Sequence, residues 1–381
     1  NGGSVTIDST ALVLHMPAWF AQGALPLDRL DLKARWNFEP GKQLLVEVER
    51  LGFAQGALNG SLSGRHSLPL LPDGSKAGPG TADITGTLDG FAIGTVGRFL
   101  PLATPEHLAH WLGTALQGGT LRDARLRLRG DLAGFPFRTT GGANALIERA
   151  RGEFRVAGRL ENARLEYAPG HRHPDGAPHW PLAENINGHI EFDRARMEIR
   201  GDTLRTMGVA LSNVKAVIPD LVVHDKMLEI DGNAAAPMQE FLRYVAASPV
   251  PEWIGHFTDD TRASGNARLS LKLRMPLAHL PDTKVLGSLQ LLGNDISLFP
   301  ELPPLQGAEG KIEFWERGVN LNGVGASFLG GPLGLSGGTQ KDGSIAIRLN
   351  GTLSAEGMRR TAPAPALGRL AQRLSGSTPY T

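Results

Sequence analysis

Apolar and polar residues alternate along most of this chain. The segment 126–129 reads Leu-Arg-Leu-Arg, 269–273 reads Leu-Ser-Leu-Lys-Leu, and 345–349 reads Ile-Ala-Ile-Arg-Leu. Because successive side chains of a β-strand point to opposite faces, each segment predicts a strand with one apolar and one polar face. Such alternation is typical of antiparallel sheet that is solvated on one face. The chain is therefore predicted to be mainly β.

Composition narrows the class of protein. The 381 residues include 49 Gly and 26 Pro without a collagen period, which indicates many turns between short strands. Lys and Arg number 39 against 38 Asp and Glu, so no basic field predicts binding to nucleic acid. There is no cysteine, which excludes disulfides, thiol chemistry and cysteine-ligated zinc.

The strands recur in a fixed order, which predicts a repeat protein. Pro181-Leu182 leads to Ile190-Glu191-Phe192, and Pro304-Leu305 leads to Ile312-Glu313-Phe314. Pro26-Leu27 opens a similar segment near the start. Each copy later reaches a strand that contains or ends in Gly, at 84–88, 228–232 and 348–353.

A helical insert is predicted after the glycine-containing strand of the first two copies. Phe99 precedes Trp111 at the same spacing as Phe241 precedes Trp253. Both inserts carry an apolar stripe at helical spacing that is expected to pack against the sheet. The stripes comprise Leu108, Trp111, Leu112, Ala115 and Leu116, with Gly118-Gly119 as the expected end, and Met238, Phe241, Leu242, Val245 and Ala246.

We therefore expect an elongated antiparallel sheet built from repeats, curled into an apolar trough, with short amphipathic helical inserts between repeats. A first, partial repeat is predicted for residues 1–103, a second for 104–250 and a third for 251–360. Residues 361–381 are predicted to form a last helix, with Leu367, Leu370, Ala371 and Leu374 on its apolar side, and a loose tail from Ser375.

Several of these segments together resemble the YhdP-like branch of the AsmA-like bacterial envelope proteins. The resemblance rests on the helix with Trp111-Leu112, the strand 124–130 and the segment through Phe135-Pro136-Phe137, and it continues through 153–160, 180–192 and 253–351. It covers roughly residues 1 to 360. The family's motifs are soft patterns rather than an invariant signature.

The resemblance implies a non-enzymatic function in the Gram-negative envelope. Family members are anchored in the inner membrane by one N-terminal helix and form a long periplasmic β structure with an apolar interior. The implied activity is phospholipid transport between the inner and outer membranes, with acyl chains as the bound partner and no cofactor. Since this chain lacks the anchor helix, we expect it to be a section of a longer protein. A protein partner in the periplasm or at the outer membrane is a further expectation.

One apolar face of the sheet is the candidate lipid site. A bare apolar face costs about 25 cal/mol per Å², and acyl chains can cover it. The predicted lining residues are Leu126, Leu128, Phe154, Val156, Ile190, Phe192, Leu269, Leu271, Leu273, Ile312, Phe314, Ile345, Ile347 and Leu349. The same alternation also fits a self-packed β-sandwich in a structural or assembly scaffold without lipid.

Catalytic and metal-binding motifs are weak. Gly334-Leu335-Ser336-Gly337-Gly338 matches the nucleophile elbow of hydrolases, but the expected following helix is replaced by a turn and a strand, so an edge strand is predicted. His171, His173, Asp175 and His179 lie within nine residues in a Pro- and Gly-rich loop, where no metal is expected.

Two groups of charged residues are predicted to be exposed to solvent. Asp259-Asp260 is predicted to be a turn without a histidine partner. Arg125, Arg127 and Arg129 alternate with apolar residues, which predicts that they share the polar face of one strand; Arg122 lies just before them.

Overall fold

The computed structural model describes residues 1–20, 23–139, 145–361, 369 and 372–381. Most of these residues are in strands. Every strand pair for which the structure describes the register is antiparallel, and this confirms the predicted fold class. The strands form one sheet by hydrogen bonding. In chain order they are β1 (Gly2–His15), β2 (Ala24–Glu39), β3 (Gln43–Gln55), β4 (Leu58–Pro69), β5 (Thr81–Asp89), β6 (Phe91–Ala92), β7 (Leu116–Asp131), β8 (Gly152–Leu165), β9 (Ala183–Asp193), β10 (Arg196–Thr206), β11 (Val209–Ile218), β12 (Met227–Pro237), β13 (Arg262–Ala263), β14 (Asn266–Pro276), β15 (Lys284–Ser297), β16 (Leu305–Trp315), β17 (Gly318–Phe328), β18 (Gly331–Thr339), β19 (Ile345–Ser354) and β20 (Ser377–Tyr380).

Helices within the described ranges are short and lie between strands. The α-helices are α1 (Glu106–Ala115), α2 (Ala145–Ala150), α3 (Met238–Ala246), α4 (Val250–Trp253) and α5 (Ala355–Thr361). Single-turn and two-turn 3-10 helices span Ile93–Phe99, Leu132–Gly134 and Leu280–Asp282. None of the helices in these ranges has the length and apolar character required to cross a membrane.

The chain divides into two compact units. The first contains residues 1–169, 184–202 and 216–226, and the second contains 170–183, 203–215 and 227–381. In the first unit β1 to β5 form a meander in which each strand pairs with the next. The meander continues from β5 to β7 and from β7 to β8.

The second unit repeats this arrangement. Strand β12 pairs with β14, and the meander then runs from β14 through β15, β16, β17 and β18 to β19. Strand β20 pairs with residues 351–354 at the end of β19. The tail from Ser375, predicted to be loose, is therefore partly a strand. It is held because its backbone groups complete the ladder of β19.

The two helical inserts occupy equivalent places in the topology. In the first unit residues 93–115 lie between β5 and β7, which nevertheless pair with each other up to Leu88 opposite Ala124. In the second unit α3 and α4 lie between β12 and β14, which pair up to Pro237 opposite Asn266. Each insert thus leaves the sheet and returns to it at the ends of two neighbouring strands. The three repeats predicted at 1–103, 104–250 and 251–360 stay a prediction.

Packing of the inserts differs from the prediction in one case. In α3 Met238 and Leu242 are buried against Leu291 and Ala267 of the sheet, as the stripe predicted. In α1 Ala115 is fully buried, but Leu108 and Trp111 remain 41% and 38% exposed. The predicted stripe was also too long, because Leu116 and the two glycines at 118–119 belong to β7. Residues 116–119 are in a strand rather than a helix because they pair with β8.

A fully buried amide holds the second insert in place. Asn294 in β15 donates from Nδ2 to the carbonyl oxygens of Ser264 and Asn266, at 2.9 and 3.1 Å, and its Oδ1 accepts from the Leu292 amide at 2.8 Å. These bonds satisfy the backbone where the chain re-enters β14. Of the predicted C-terminal helix, Leu367, Leu370 and Ala371 lie outside the described residues, and Leu374 is exposed.

Candidate functional site: two apolar sheet faces

In the first unit, apolar side chains of seven strands are aligned in rows across the sheet. Cross-strand pairing joins each residue of a row to the next, so the rows share one face, here called the first apolar face. One row comprises Ile7, Leu32, Leu51, Leu62, Gly86, Leu126 and Val156. The next row comprises Val5, Ala34, Val48, Gly64, Ile84, Leu128 and Phe154.

Two further predicted residues, Ile190 and Phe192, belong to β9 in the same unit. Glu191 between them accepts a hydrogen bond at 2.6 Å from Nε of Arg155, which lies on the polar face of β8. Because neighbouring side chains of a strand point to opposite faces, Ile190 and Phe192 lie on the same face as Phe154 and Val156. The six predicted residues of this unit are thus brought together.

In the second unit the predicted residues form a second apolar face in the same way. One row joins Ala234, Leu269, Leu289, Ile312, Leu321, Gly337 and Ile347. Leu271 lies opposite Gly287, which lies opposite Phe314, and Leu273 lies opposite Val285. Towards the end of the sheet Leu335 pairs with Leu349 and Thr339 pairs with Ile345. All eight residues predicted here lie on this face.

The side chains of both faces are incompletely covered. None of the fourteen predicted residues is fully buried, and Ile345, Ile347 and Leu349 are 60%, 43% and 38% exposed. The core of a self-packed sandwich would exclude water from such residues. The clearest covering element on the second face is α3, which packs near Leu291 through Met238 and Leu242. The burial pattern therefore does not favour the sandwich.

Glycines in the apolar rows make room for aromatic rings. Phe53 pairs with Gly60, where a β-carbon would lie 2.2 Å from the ring, and Phe314 pairs with Gly287, where it would lie 2.0 Å away. The rings therefore lie over the backbone of the neighbouring strand. This arrangement keeps the rings of Phe53 and Phe314 close to the sheet.

The opposite face of the first unit carries ion pairs. Arg35 pairs with Glu47 at 2.7 Å and Arg127 with Asp83 at 2.5 Å. The hydrogen bond from Arg127 lowers the pKa of the Asp83 carboxyl below its usual value. Exposed pairs of this kind contribute little stability, but they make this face hydrophilic. The ion pair with Asp83 confirms that Arg127 lies on the polar face, as predicted. Arg125 and Arg129 lie two residues away on the same strand and therefore share that face.

Sequence reasoning missed more than half of the positions in each apolar row. Leu51, Leu62, Leu289 and Leu321 lie in the rows but were not predicted to line them. In β3 a register shift between Val48 and Leu51 places two successive polar residues on the polar face and breaks the period of two. In β15 the signal was partial, because Leu289 and Leu291 flank Gln290, whereas Leu286 and Leu292 interrupt the alternation.

The alternative chemical sites do not assemble in the structure. Ser336 lies in the middle of β18 opposite Arg348, so it is not at the strand-to-helix turn of a nucleophile elbow. Strand β18 has a neighbouring strand on each side, so the prediction of an edge strand was wrong. His173 and His179 stack at 4.5 Å across a turn, and the described residues contain no group of three or more potential ligands that could hold a metal ion. Asp259 does have a histidine partner, contrary to prediction, since Nδ1 of His256 lies 2.9 Å from its carboxylate within one turn.

Comparison with known proteins identifies the family of this chain. The chain is 26% identical over 250 residues to the intermembrane phospholipid transporter YhdP of Escherichia coli (strain K12). The aligned stretch covers 65% of this chain and 18% of that relative. No solved structure matches the chain significantly. The model of the YhdP protein family matches residues 1–381. Because that match extends over the whole chain, the protein belongs to the YhdP family.

Proposed function

We propose that this chain carries phospholipid acyl chains on its apolar faces as one section of a longer protein. That protein moves phospholipid between the inner and outer membranes, and this section acts in the periplasm without catalysing a reaction. The proposal is supported by the similarity to the intermembrane phospholipid transporter of Escherichia coli.

The observation that carries the proposal is the exposure of aliphatic rows in register. Ile345, Ile347 and Leu349 follow one another on one face of β19, and all three remain more than a third exposed. Each methylene group of an acyl chain that leaves water for such a surface contributes about 0.8 kcal/mol. The rows consist largely of Leu, Ile and Val, whose side chains accept a fluid acyl chain in many positions. Binding is therefore collective, without a fixed pocket.

Collective binding predicts different effects for two kinds of substitution. Shortening one side chain, as in Leu271→Ala, removes only a small part of the apolar surface and leaves lipid binding nearly unchanged. A carboxylate on the same face must stay hydrated and obstructs an acyl chain that cannot solvate it. Three aspartates at Leu126, Leu271 and Ile347 should therefore prevent binding.

The test is lipid analysis of the purified chain. The protein is purified under mild conditions from a Gram-negative host, extracted with organic solvent and analysed by mass spectrometry. We expect stoichiometric phospholipid with the unmodified chain and its loss with Leu126→Asp, Leu271→Asp and Ile347→Asp combined. The matched control carries Arg125→Asp, Arg268→Asp and Ala346→Asp, three exposed positions on the opposite faces of the same strands.

Circular dichroism establishes that both triple variants are folded. Phospholipid retained by the first variant at the level of the control would contradict the proposal. An unmodified chain that purifies without lipid would do so as well, and would instead support a structural scaffold whose apolar faces are covered by protein.

A further inference from the structure

The polar face of the second unit contains a groove that acyl-chain binding does not use. Its volume is about 630 Å³. The floor is a row of five residues, one from each of five neighbouring strands and in register, of which four have polar side chains: Ser270, Ser288, Glu313, Asn320 and Gly338. Adjacent strands are about 4.8 Å apart, so this row extends over roughly 19 Å. We call it the serine groove.

One side of the serine groove is apolar, although it lies on the polar face. Leu286 of β15 lies directly opposite Trp315 of β16, and these side chains are 59% and 39% exposed. The indole of Trp315 lies over Gly318, where a β-carbon would be 2.3 Å from Cζ2. The ring is thereby supported on one side by backbone. An exposed, fixed aromatic ring beside a row of hydroxyl and amide groups is typical of a binding surface.

The charges in the serine groove are internally compensated. Nζ of Lys311 donates to Glu313 at 2.6 Å, and Nζ of Lys272 lies 3.4 Å from the carboxylate of Asp231. Each lysine in the groove therefore has a carboxylate of its own. A phosphate or another anion would have to displace one of these carboxylates, whereas an uncharged ligand would not. The groove is suited to an uncharged ligand.

We propose that the serine groove binds an uncharged carbohydrate chain. The hydroxyl groups of Ser270 and Ser288 and the amide of Asn320 match the hydroxyl and acetamide groups of sugars as hydrogen-bonding partners. The Trp315 ring provides a surface for the C–H face of a sugar ring, with Leu286 beside it. Because the groove and the second apolar face lie on opposite sides of the same strands, glycan and lipid bind without competing.

Binding is tested with chitotetraose, an uncharged tetramer of N-acetylglucosamine. The complete 381-residue chain is titrated in a calorimeter, and the tryptophan indole N–H signals are followed by NMR. We expect a Kd of about 1 mM or tighter and a shift of the indole signal that Trp315→Phe identifies. Trp315→Ala should weaken binding at least about ten-fold, and Ser288→Ala should weaken it several-fold. Trp253→Ala removes another exposed tryptophan and should leave the Kd unchanged.

Three results would overturn the proposal. The first is the absence of any heat or shift from a folded chain at millimolar chitotetraose. The second is a Kd that remains unchanged in both Trp315→Ala and Ser288→Ala while circular dichroism shows native secondary structure. The third is binding of inorganic phosphate that shifts the Trp315 indole signal and that chitotetraose does not displace, since that would make the groove an anion site. None of these results bears on lipid binding at the opposite face.

Discussion

The aromatic ring of Phe314 lies over the backbone of Gly287, its cross-strand partner on the second apolar face. A β-carbon at Gly287 would be 2.0 Å from Cζ of that ring and 2.2 Å from Cε2. Only a residue without a side chain permits this contact, so the glycine determines the height of the ring above the sheet. The pair keeps a large aromatic group within a shallow surface.

Replacing Gly287 with alanine is therefore expected to destabilise the sheet. The new methyl group displaces Phe314, and overpacking of this kind costs about 1–3 kcal/mol in the free energy of unfolding. Urea denaturation followed by circular dichroism measures the change. Gly334→Ala is the matched control, because Gly334 also lies in a strand and its β-carbon would meet no atom closer than 3.8 Å.

Shortening Phe314 should relieve the clash. In the Phe314→Leu background, Gly287→Ala is expected to cost clearly less than in the unmodified chain, because the ring that the methyl group meets has been removed. Equal costs in both backgrounds would show that the ring does not limit the size of residue 287.

Photocrosslinking can distinguish the two faces of β19. We expect a benzophenone amino acid at Ile347 to crosslink to radiolabelled phospholipid, because residue 347 lies on the second apolar face. The same probe at Arg348 points to the other face of the strand and should crosslink much less. Similar labelling at both positions would mean that lipid reaches the protein without regard to its apolar face.

Glu316 should make the free energy of unfolding depend on pH in the acid range. Its carboxylate accepts from Nζ of Lys284 at 2.9 Å and from the Val285 amide at 3.2 Å, and these bonds lower the pKa from 4.5 to about 2. A carboxyl with a lower pKa in the folded state stabilises that state above its unfolded pKa. This contribution is fully present above about pH 4.5 and is lost as the pH falls towards 2.

Glu316→Gln provides the measurement. The difference in the free energy of unfolding between the unmodified chain and this variant should be greatest near neutral pH and diminish between pH 4.5 and 2. In a Lys284→Met background the same substitution should have a smaller and less pH-dependent effect, because the largest cause of the pKa shift is gone. A difference that stays constant over this pH range would contradict the assignment.

Much of the fold was predictable because local pattern and tertiary structure agree. The alternation at 126–129, 269–273 and 345–349 predicted strands with one apolar face, and these segments lie in β7, β14 and β19. The stripe of α3 also predicted its buried residues. For α1 the same reasoning was wrong about Leu108 and Trp111, because helix periodicity identifies an apolar side but not whether the sheet extends beneath it.

Which residues share a face of each strand follows from the order of the residues, because successive side chains of a strand point to opposite faces. Which strands are neighbours, and in what register, is known only from the folded chain. Those pairings align Leu269 with Leu289 and Ile312 on one face, and Ser270 with Ser288 and Glu313 on the other. Register depends on backbone hydrogen bonds between segments distant in sequence, and bulges such as that in β3 shift it by a residue without a clear local signal. Both candidate binding surfaces are products of that register.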